Sequence, residues 1–198
     1  MSDRNYWLNL FTYNTWEEFK KAGSNVSGFR ESRWKTVQKI KKGDLFICYL
    51  TGISRFIGIL EVTKEVFKDN STIWADEDFP CRLGVRNVVE LTTETAVPVL
   101  NLRENLTFFE NLKSRNAWTG RFRGSPSKWE TEDGEAVVKA LIEAKEHPIE
   151  RPVDKRKLAR RPKSIKAKMG PVTVPDSEVL NTTNEKPLKE STEHTEVQ

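Results

Sequence analysis

A chain of 198 residues that is 36% hydrophobic and 31% charged has room for one domain with a real core plus a tail, and is hydrophilic enough to be soluble. No run approaches the roughly 20 apolar residues of a membrane helix, and the opening MSDRNYWLNLF lacks the basic and then long apolar pattern of a signal peptide, so a cytoplasmic protein without membrane contact is expected. Cys48 and Cys81 show neither CxxC spacing nor histidine neighbours, and His147 and His194 fall at the expected domain edge and in the tail; no metal, disulfide or cofactor is expected.

The net charge of +4 is unevenly spread. Between Arg151 and Met169 there are nine Lys or Arg against Asp154 alone, and from Gly170 onward six acidic residues face two lysines. All six Trp precede residue 130, and no Trp, Phe or Tyr follows Ala144. A segment so poor in large apolar groups cannot offset its ordering entropy. The composition therefore predicts a domain over residues 1–147 and a disordered tail, basic and then acidic, over 148–198.

Tyr6 to Thr12 is aromatic-rich and alternates, which predicts a first strand. Thr15 with Glu18 three residues on has the form of a capping box opening a short helix that carries Trp16 and Phe19 and stops before Gly23. GSNVSGFR, Gly23 to Arg30, reads as a loop, and Glu31 to Lys42 as a helix with Trp34 and Val37 on one side. Lys41 to Val62 is the most apolar stretch of the chain. Gly43 and Asp44 open it, Leu45 to Leu50 and Phe56 to Val62 read as strands, and Thr51 to Arg55 reverses the chain between them, so an antiparallel hairpin is expected at the centre of the sheet. Strand and turn continue from Lys64 to Trp74, ADEDF (Ala75 to Phe79) is an acidic loop, and Cys81 to Leu91 is the next long strand. Pro98 to Leu112 is expected to hold a short strand or turn and then a helix around Leu106 to Leu112. Asn116 to Trp129 reads as a loop, and Asp133 to Lys145 as the last helix, with Val137 and Leu141 on its apolar face. The fold class is α+β: a small mixed, mostly antiparallel β-barrel of five to six strands flanked by helices.

The order YWLNLF, SGFR, basic helix, KKGDLFICYLTG and FIGILEV resembles an EVE domain, the PUA-like relative of the YTH domain. The matched pieces are Gly28 and Arg30 ahead of a helix, Gly43 and Asp44 before a strand that ends in Tyr49 and Thr51, and Gly58 followed by an apolar strand and Glu61. The resemblance spans about Tyr6 to Lys145 and implies a PUA-like fold and a non-catalytic reader of modified bases. In such a reader a flipped or single-stranded nucleotide lies between aromatic walls while polar groups read its edge. A base leaving its stack can regain roughly 1–3 kcal/mol on an aromatic face. The implied site contains Phe29, Trp74, Phe79 and Trp118 as walls, Ser27, Thr51 and Asn116 as edge readers, and Gly28, Arg30, Tyr49, Arg121 and Arg123 around them. Trp7, Trp16 and Trp34 sit at periodic positions and belong to the core, while Trp74 and Trp118 are expected on loops facing one concavity with Phe29 and Thr51. Many EVE domains carry Trp-Asp before the first-loop glycine. This chain has Val26 and Ser27, so Phe29 would replace one wall, and a methylated or hydroxymethylated cytosine in DNA suits the smaller cage.

The resemblance also implies a partner: EVE domains are specificity modules joined to nuclease or motor domains, so a separate nuclease or motor effector is one expectation and modified RNA or tRNA the alternative. A metal-dependent nuclease built on Asp76, Glu77 and Asp78, or a protein-interaction adaptor working through the tail, are the competing classes. Against an enzyme, no HExxH, GxSxG or P-loop pattern occurs, and no histidine precedes His147.

Overall fold

The computed structural model describes residues 4–110 and 112–159. The hairpin expected at the centre is there: β3 (Leu45–Leu50) is buried at every position and pairs antiparallel with β4 (Arg55–Lys68). On one side, β1 (Tyr6–Phe11) runs parallel to β3, with Tyr6 opposite Leu45 and Phe11 opposite Leu50, and β7 (Ser127–Trp129) pairs with β1. On the other side, β5 (Cys81–Glu90) pairs with β4, and β2 (Val26–Phe29) with β5. The order is β2-β5-β4-β3-β1-β7, and the two-residue β6 (Val97–Pro98) pairs with the start of β4. The sheet thus has seven strands, the additions to the expected five or six being very short.

The sheet is curled. β2 is one edge and β1 lies next to the other, yet Asn9 Nδ2 on β1 donates to Ser27 Oγ on β2 at 2.8 Å, with both side chains buried. α1 (Tyr13–Lys21) packs Trp16 and Phe19 against Phe11, with ring centroids 5.0 and 5.6 Å away. α3 (Thr131–Glu146) covers other sheet residues, and Gly134 lies so close to the Tyr6 ring that any Cβ there would collide with it.

Several local expectations are corrected. The cap of α1 is Thr12, not Thr15: Thr15 N donates to Thr12 Oγ1 at 3.2 Å and Thr12 N to Thr15 Oγ1 at 3.0 Å, so two threonines satisfy each other's orphan groups and the helix starts one turn earlier. The loop expected over Gly23–Arg30 contains β2, because β5 supplies the pairing partner that the short stretch itself does not advertise. The helix expected from Glu31 to Lys42 is a 3-10 turn, Glu31–Arg33, and a single turn, α2 (Trp34–Val37). Its continuation is diverted by Asp44, whose buried carboxylate accepts from Lys41 N (3.0 Å), Asn5 N (3.0 Å) and Trp7 Nε1 (2.8 Å). Those bonds tie the entry of β3 to β1, which a longer helix would prevent. The helix expected near Leu106 is only a 3-10 turn, Thr107–Phe109, held by Asp133, which accepts from Thr107 N at 2.6 Å and Thr107 Oγ1 at 3.1 Å. The stretch read as a loop over Asn116–Trp129 contains a 3-10 helix, Ala117–Phe122, as well as β7.

The chain past Pro148 runs along the body as far as it is described: Arg151 N donates to Glu94 O at 3.0 Å, and Arg55 Nη2 to Pro152 O at 2.8 Å. A short helix, α4 (Lys155–Leu158), follows. The remainder of the expected tail lies outside the described residues.

Candidate functional site

β2 sorts its side chains by strand alternation. Ser27 and Phe29 are buried inward, Phe29 tilted against Phe46 with centroids 5.5 Å apart. Phe29, expected as a pocket wall, is therefore core, only 3% exposed. Ser27 is also committed, since its hydroxyl accepts from Asn9, and Ser125 Oγ lies 3.4 Å from Asn9 Oδ1 while accepting from Leu10 N at 3.1 Å. These bonds fasten β1, β2 and the 123–126 loop across the seam of the curl.

Gly28 carries the indole of Trp74. A Cβ at Gly28 would sit 2.5 Å from Trp74 Cζ3 and 2.8 Å from Phe79 Cβ, so this contact exists because residue 28 has no side chain. Trp74 and Phe79 meet edge to face at 5.1 Å, and Trp74 Nε1 donates to Thr15 O at 3.2 Å, tying the ring to the first turn of α1. The exposed Trp74 expected of a polar loop is corrected: the ring is 4% exposed. It nevertheless stands outside the main core cluster and packs in a satellite of the 69–80 loop.

Arg82 braces that loop from β5. Its buried guanidinium donates to Phe79 O (3.2 Å), Asp69 Oδ2 (2.5 Å), Ser71 Oγ (2.7 Å) and Ser71 O, and lies 5.8 Å from the Trp74 ring. Asp69 is held below the usual carboxylate range, chiefly by hydrogen bonds from Ser71 and further by Arg82. On the outer side Arg30 grips Glu77 with two bonds, Nε to Oε1 at 2.5 Å and Nη2 to Oε2 at 2.8 Å. Beside this pair is an open cavity of about 450 Å³ between Arg30–Ser32 and the 75–80 loop, with Asp76, Glu77 and Asp78 among its lining. The volume falls in the range of small-ligand pockets. Carboxylate acceptors suit the exocyclic amines of cytosine or adenine, and among the described residues no group of three His, Cys, Asp or Glu is placed to hold a metal.

Of the residues singled out in the sequence, Ser27, Gly28, Arg30, Trp74 and Phe79 come together here. Trp118, Asn116, Arg121 and Arg123 belong to a second assembly. There Phe122 stacks on Tyr49 at 4.1 Å, Trp118 lies 5.9 Å from both Phe109 and Phe122, and Arg121 is 5.5 Å from the Phe108 ring. Trp74 and Trp118 thus share no ring partner among the described residues, and the single concavity expected for them does not form around shared rings. The two assemblies approach each other where a Cβ at Gly124 would lie 3.4 Å from Arg33 Nη2. Tyr49 is core; burial pushes its hydroxyl up to about 12. Thr51 spends its hydroxyl on Phe11 O at 3.3 Å, at the end of the hairpin. Asn9 and Arg82 were not singled out, Glu77 was named only in the nuclease reading, and Thr15 only as a helix cap. Asn9 does carry a signal, a polar residue in the middle of an otherwise apolar strand, whereas Arg82 is one of several polar residues in β5 and does not stand out.

The EVE domain family model matches residues 5–140. Among solved structures, the YTH domain of mmi1 in its RNA complex is similar with TM-score 0.54 and 10% identity over 71% of this chain and 83% of that one. The Pho92 YTH domain in complex with m6A gives TM-score 0.53 and 13% identity over 71% and 85%. The YTH domain of Zygosaccharomyces rouxii MRB1, in complex with N6-methyladenosine RNA, gives 0.52 and 13% over 75% and 91%. No curated protein matches the chain. No helix among the described residues is long and apolar enough to cross a membrane. With the family model covering more than two thirds of its length and the curled sheet of its YTH-like neighbours, the chain belongs to the EVE domain family.

Proposed function

We propose that this domain is a non-catalytic reader of modified nucleic-acid bases, taking the base between the Trp74–Phe79 corner and the cavity beside it. One observation carries the reading: a tryptophan laid directly on a strand backbone at Gly28, outside the main core, on a loop whose next residues, Ala75 to Asp78, line an open cavity of about 450 Å³. The aromatic corner supplies stacking, and Glu77 and Arg30 supply an acceptor and a donor for the base edge. Since Trp74 is buried, the base reaches its face when the 75–80 loop lifts, and the Arg30–Glu77 pair is the latch that lifting breaks.

The absence of a Trp at positions 26 and 27, where many EVE domains carry Trp-Asp, favours the smaller methylated or hydroxymethylated cytosine in DNA. A second reading, N6-methyladenine in RNA, is favoured by the ligands in the names of the Pho92 and MRB1 complexes. The test is a binding panel of single-stranded DNA and RNA oligonucleotides, each with one methylated or hydroxymethylated base and an unmodified twin. A reader prefers one modified strand over its twin by about tenfold, the value of some 1.4 kcal/mol of added contact. Equal affinity across every pair, or Mg²⁺-dependent cleavage by the purified protein, refutes it and returns the acidic loop to the nuclease reading. A separate effector would be sought only after a preference is found.

A further inference from the structure

We infer that the segment after α3 is a docked basic strap that binds the phosphate backbone of the nucleic acid whose base the domain reads; the inference rests on the reader function proposed above. The strap is built in. Arg55 Nη1 donates to Thr93 O at 2.7 Å and Nη2 to Pro152 O at 2.8 Å, so one guanidinium joins the strap to the turn after β5. Arg151 N reaches Glu94 O at 3.0 Å, and Asp154 caps α4 by accepting from Arg156 N at 2.9 Å. At the far end the strap lies against the β3–β4 turn so closely that a Cβ on Gly52 would be 2.5 Å from Lys157 O.

This docking fixes Lys155, Arg156 and Lys157 on the surface, all exposed and, among the described residues, without an ion-pair partner. It also joins them, through the hairpin turn, to the stretch that holds Trp74. Gly52 follows Thr51, whose N–H and hydroxyl both bond Phe11 O at 3.0 and 3.3 Å; Phe11 leads into Thr12, the α1 cap, and Thr15 O holds Trp74 Nε1. The turn that seats the strap and the Trp74 ring are thus both bonded to one short stretch, Phe11 to Thr15. The cavity's lining carries Glu31, Asp76, Glu77 and Asp78 against Arg30, with Arg30 paired to Glu77 and Lys68 to Glu31, so it stays acidic on balance and a cationic patch elsewhere on the surface suits phosphate better. Three unpaired cations at a fixed point there suit that task.

The experiment is the salt dependence of binding of the full chain to a labelled unmodified single-stranded oligouridylate. Replacing Lys155, Arg156 and Lys157 by Gln together should flatten the slope of log K against log salt by about 2, at roughly 0.7 per phosphate contact on a single strand. Gly52→Val leaves every charge in place but pushes the strap off its seat, and should flatten the slope by at least half as much. An unchanged slope in the triple variant overturns the inference, as does a wild-type slope in Gly52→Val, which would make the cations act from an untethered tail. Competition by polyglutamate equal to that of the oligouridylate, at matched charge, would assign the strap to acidic proteins and likewise overturn it. The probe has no modified base, so a domain that fails to prefer any modified strand while its slope responds as described loses the reader function and keeps the strap.

Discussion

Gly28→Ala should loosen the aromatic corner without touching the core. The added methyl would lie 2.5 Å from Trp74 Cζ3, 2.6 Å from Cη2 and 2.8 Å from Phe79 Cβ, where carbons settle at about 3.5–4.0 Å. Gly28 is not among the glycines in the left-handed region, so the backbone accepts alanine, and the exchange alone would stabilise by about 0.4–1 kcal/mol through the unfolded chain. The ring must retreat instead. It gives up the edge-to-face contact with Phe79, about 0.5–1.5 kcal/mol, and the bond to Thr15 O, about 0.5–1.5 kcal/mol, together with some burial. The expected net loss is about 1–2 kcal/mol, read from urea unfolding at constant m. The decisive measurement is a double-mutant cycle with Trp74→Ala. That substitution by itself should cost about 3–5 kcal/mol, as large-to-small changes at buried aromatics do. In its background Gly28→Ala meets only Phe79, and its cost should fall to within about 0.5 kcal/mol of zero, the level at which independent sites add. If Gly28→Ala costs the same in both backgrounds, the ring does not rest on Gly28 and the site proposed around it is wrong.

Asn9→Ala should cost about 1–3 kcal/mol in urea unfolding, because it leaves the buried Ser27 hydroxyl without its partner across the seam. Glu77→Gln, in a pair whose arginine side chain is half exposed, should change stability by less than about 1 kcal/mol while speeding association with the preferred oligonucleotide in stopped flow, since it weakens the latch. Tyr49 gives a pH test: its hydroxyl stands at about 12 folded, raised by burial, against 10.0 unfolded, so burial favours the neutral form. The associated stability is fully present below pH 10 and is lost as pH rises through 12, by about 3 kcal/mol at most for a two-unit shift. Tyr49→Phe should remove that loss from the stability-versus-pH curve, and a wild-type curve as flat as the variant's would show the hydroxyl is not desolvated.

The parts of the fold that were legible in the sequence are those whose signal is local. β3 and β4 are continuous apolar runs opened by Gly43 and Asp44, and α3 keeps Val137 and Leu141 on one face, so both could be read without knowing their neighbours. β2 could not, because Val26–Phe29 is a strand only by virtue of β5, more than fifty residues away. The same holds for α2, which looked long by periodicity and was cut short by the donors Asp44 gathers from β1. Of the proposed site, the sequence names Gly28, Arg30, Trp74 and Phe79 but not their arrangement. Trp74 sits in polar sequence, and what buries it, Gly28 and the Thr15 carbonyl, lies 46 and 59 residues back along the chain. Phe29 was assigned to the pocket because a loop was expected there. Strand alternation turns it to the core and gives the outer position to the glycine.

That alternation bears on how a base edge would be read. Thr51 and Ser27, the hydroxyls the sequence offered for this, are already spent on Phe11 O and on Asn9. β2, however, pairs with β5 alone among the described strands, and its other edge meets β1 through the Asn9–Ser27 side-chain bond. A strand edge presents a row of N–H and C=O groups that a partner can pair with. Donors and acceptors on a backbone are fixed in place by the sheet, whereas those on loop side chains must be ordered at each binding event. Gly28 lies on that strand with the Trp74 ring and Phe79 packed over its face, so the residue that admits the aromatic corner stands beside a strand edge with backbone groups to offer. The site proposed here accordingly belongs at the seam of the curl, where the sheet has an edge left to offer, rather than at the hairpin end where the apolar sequence is strongest.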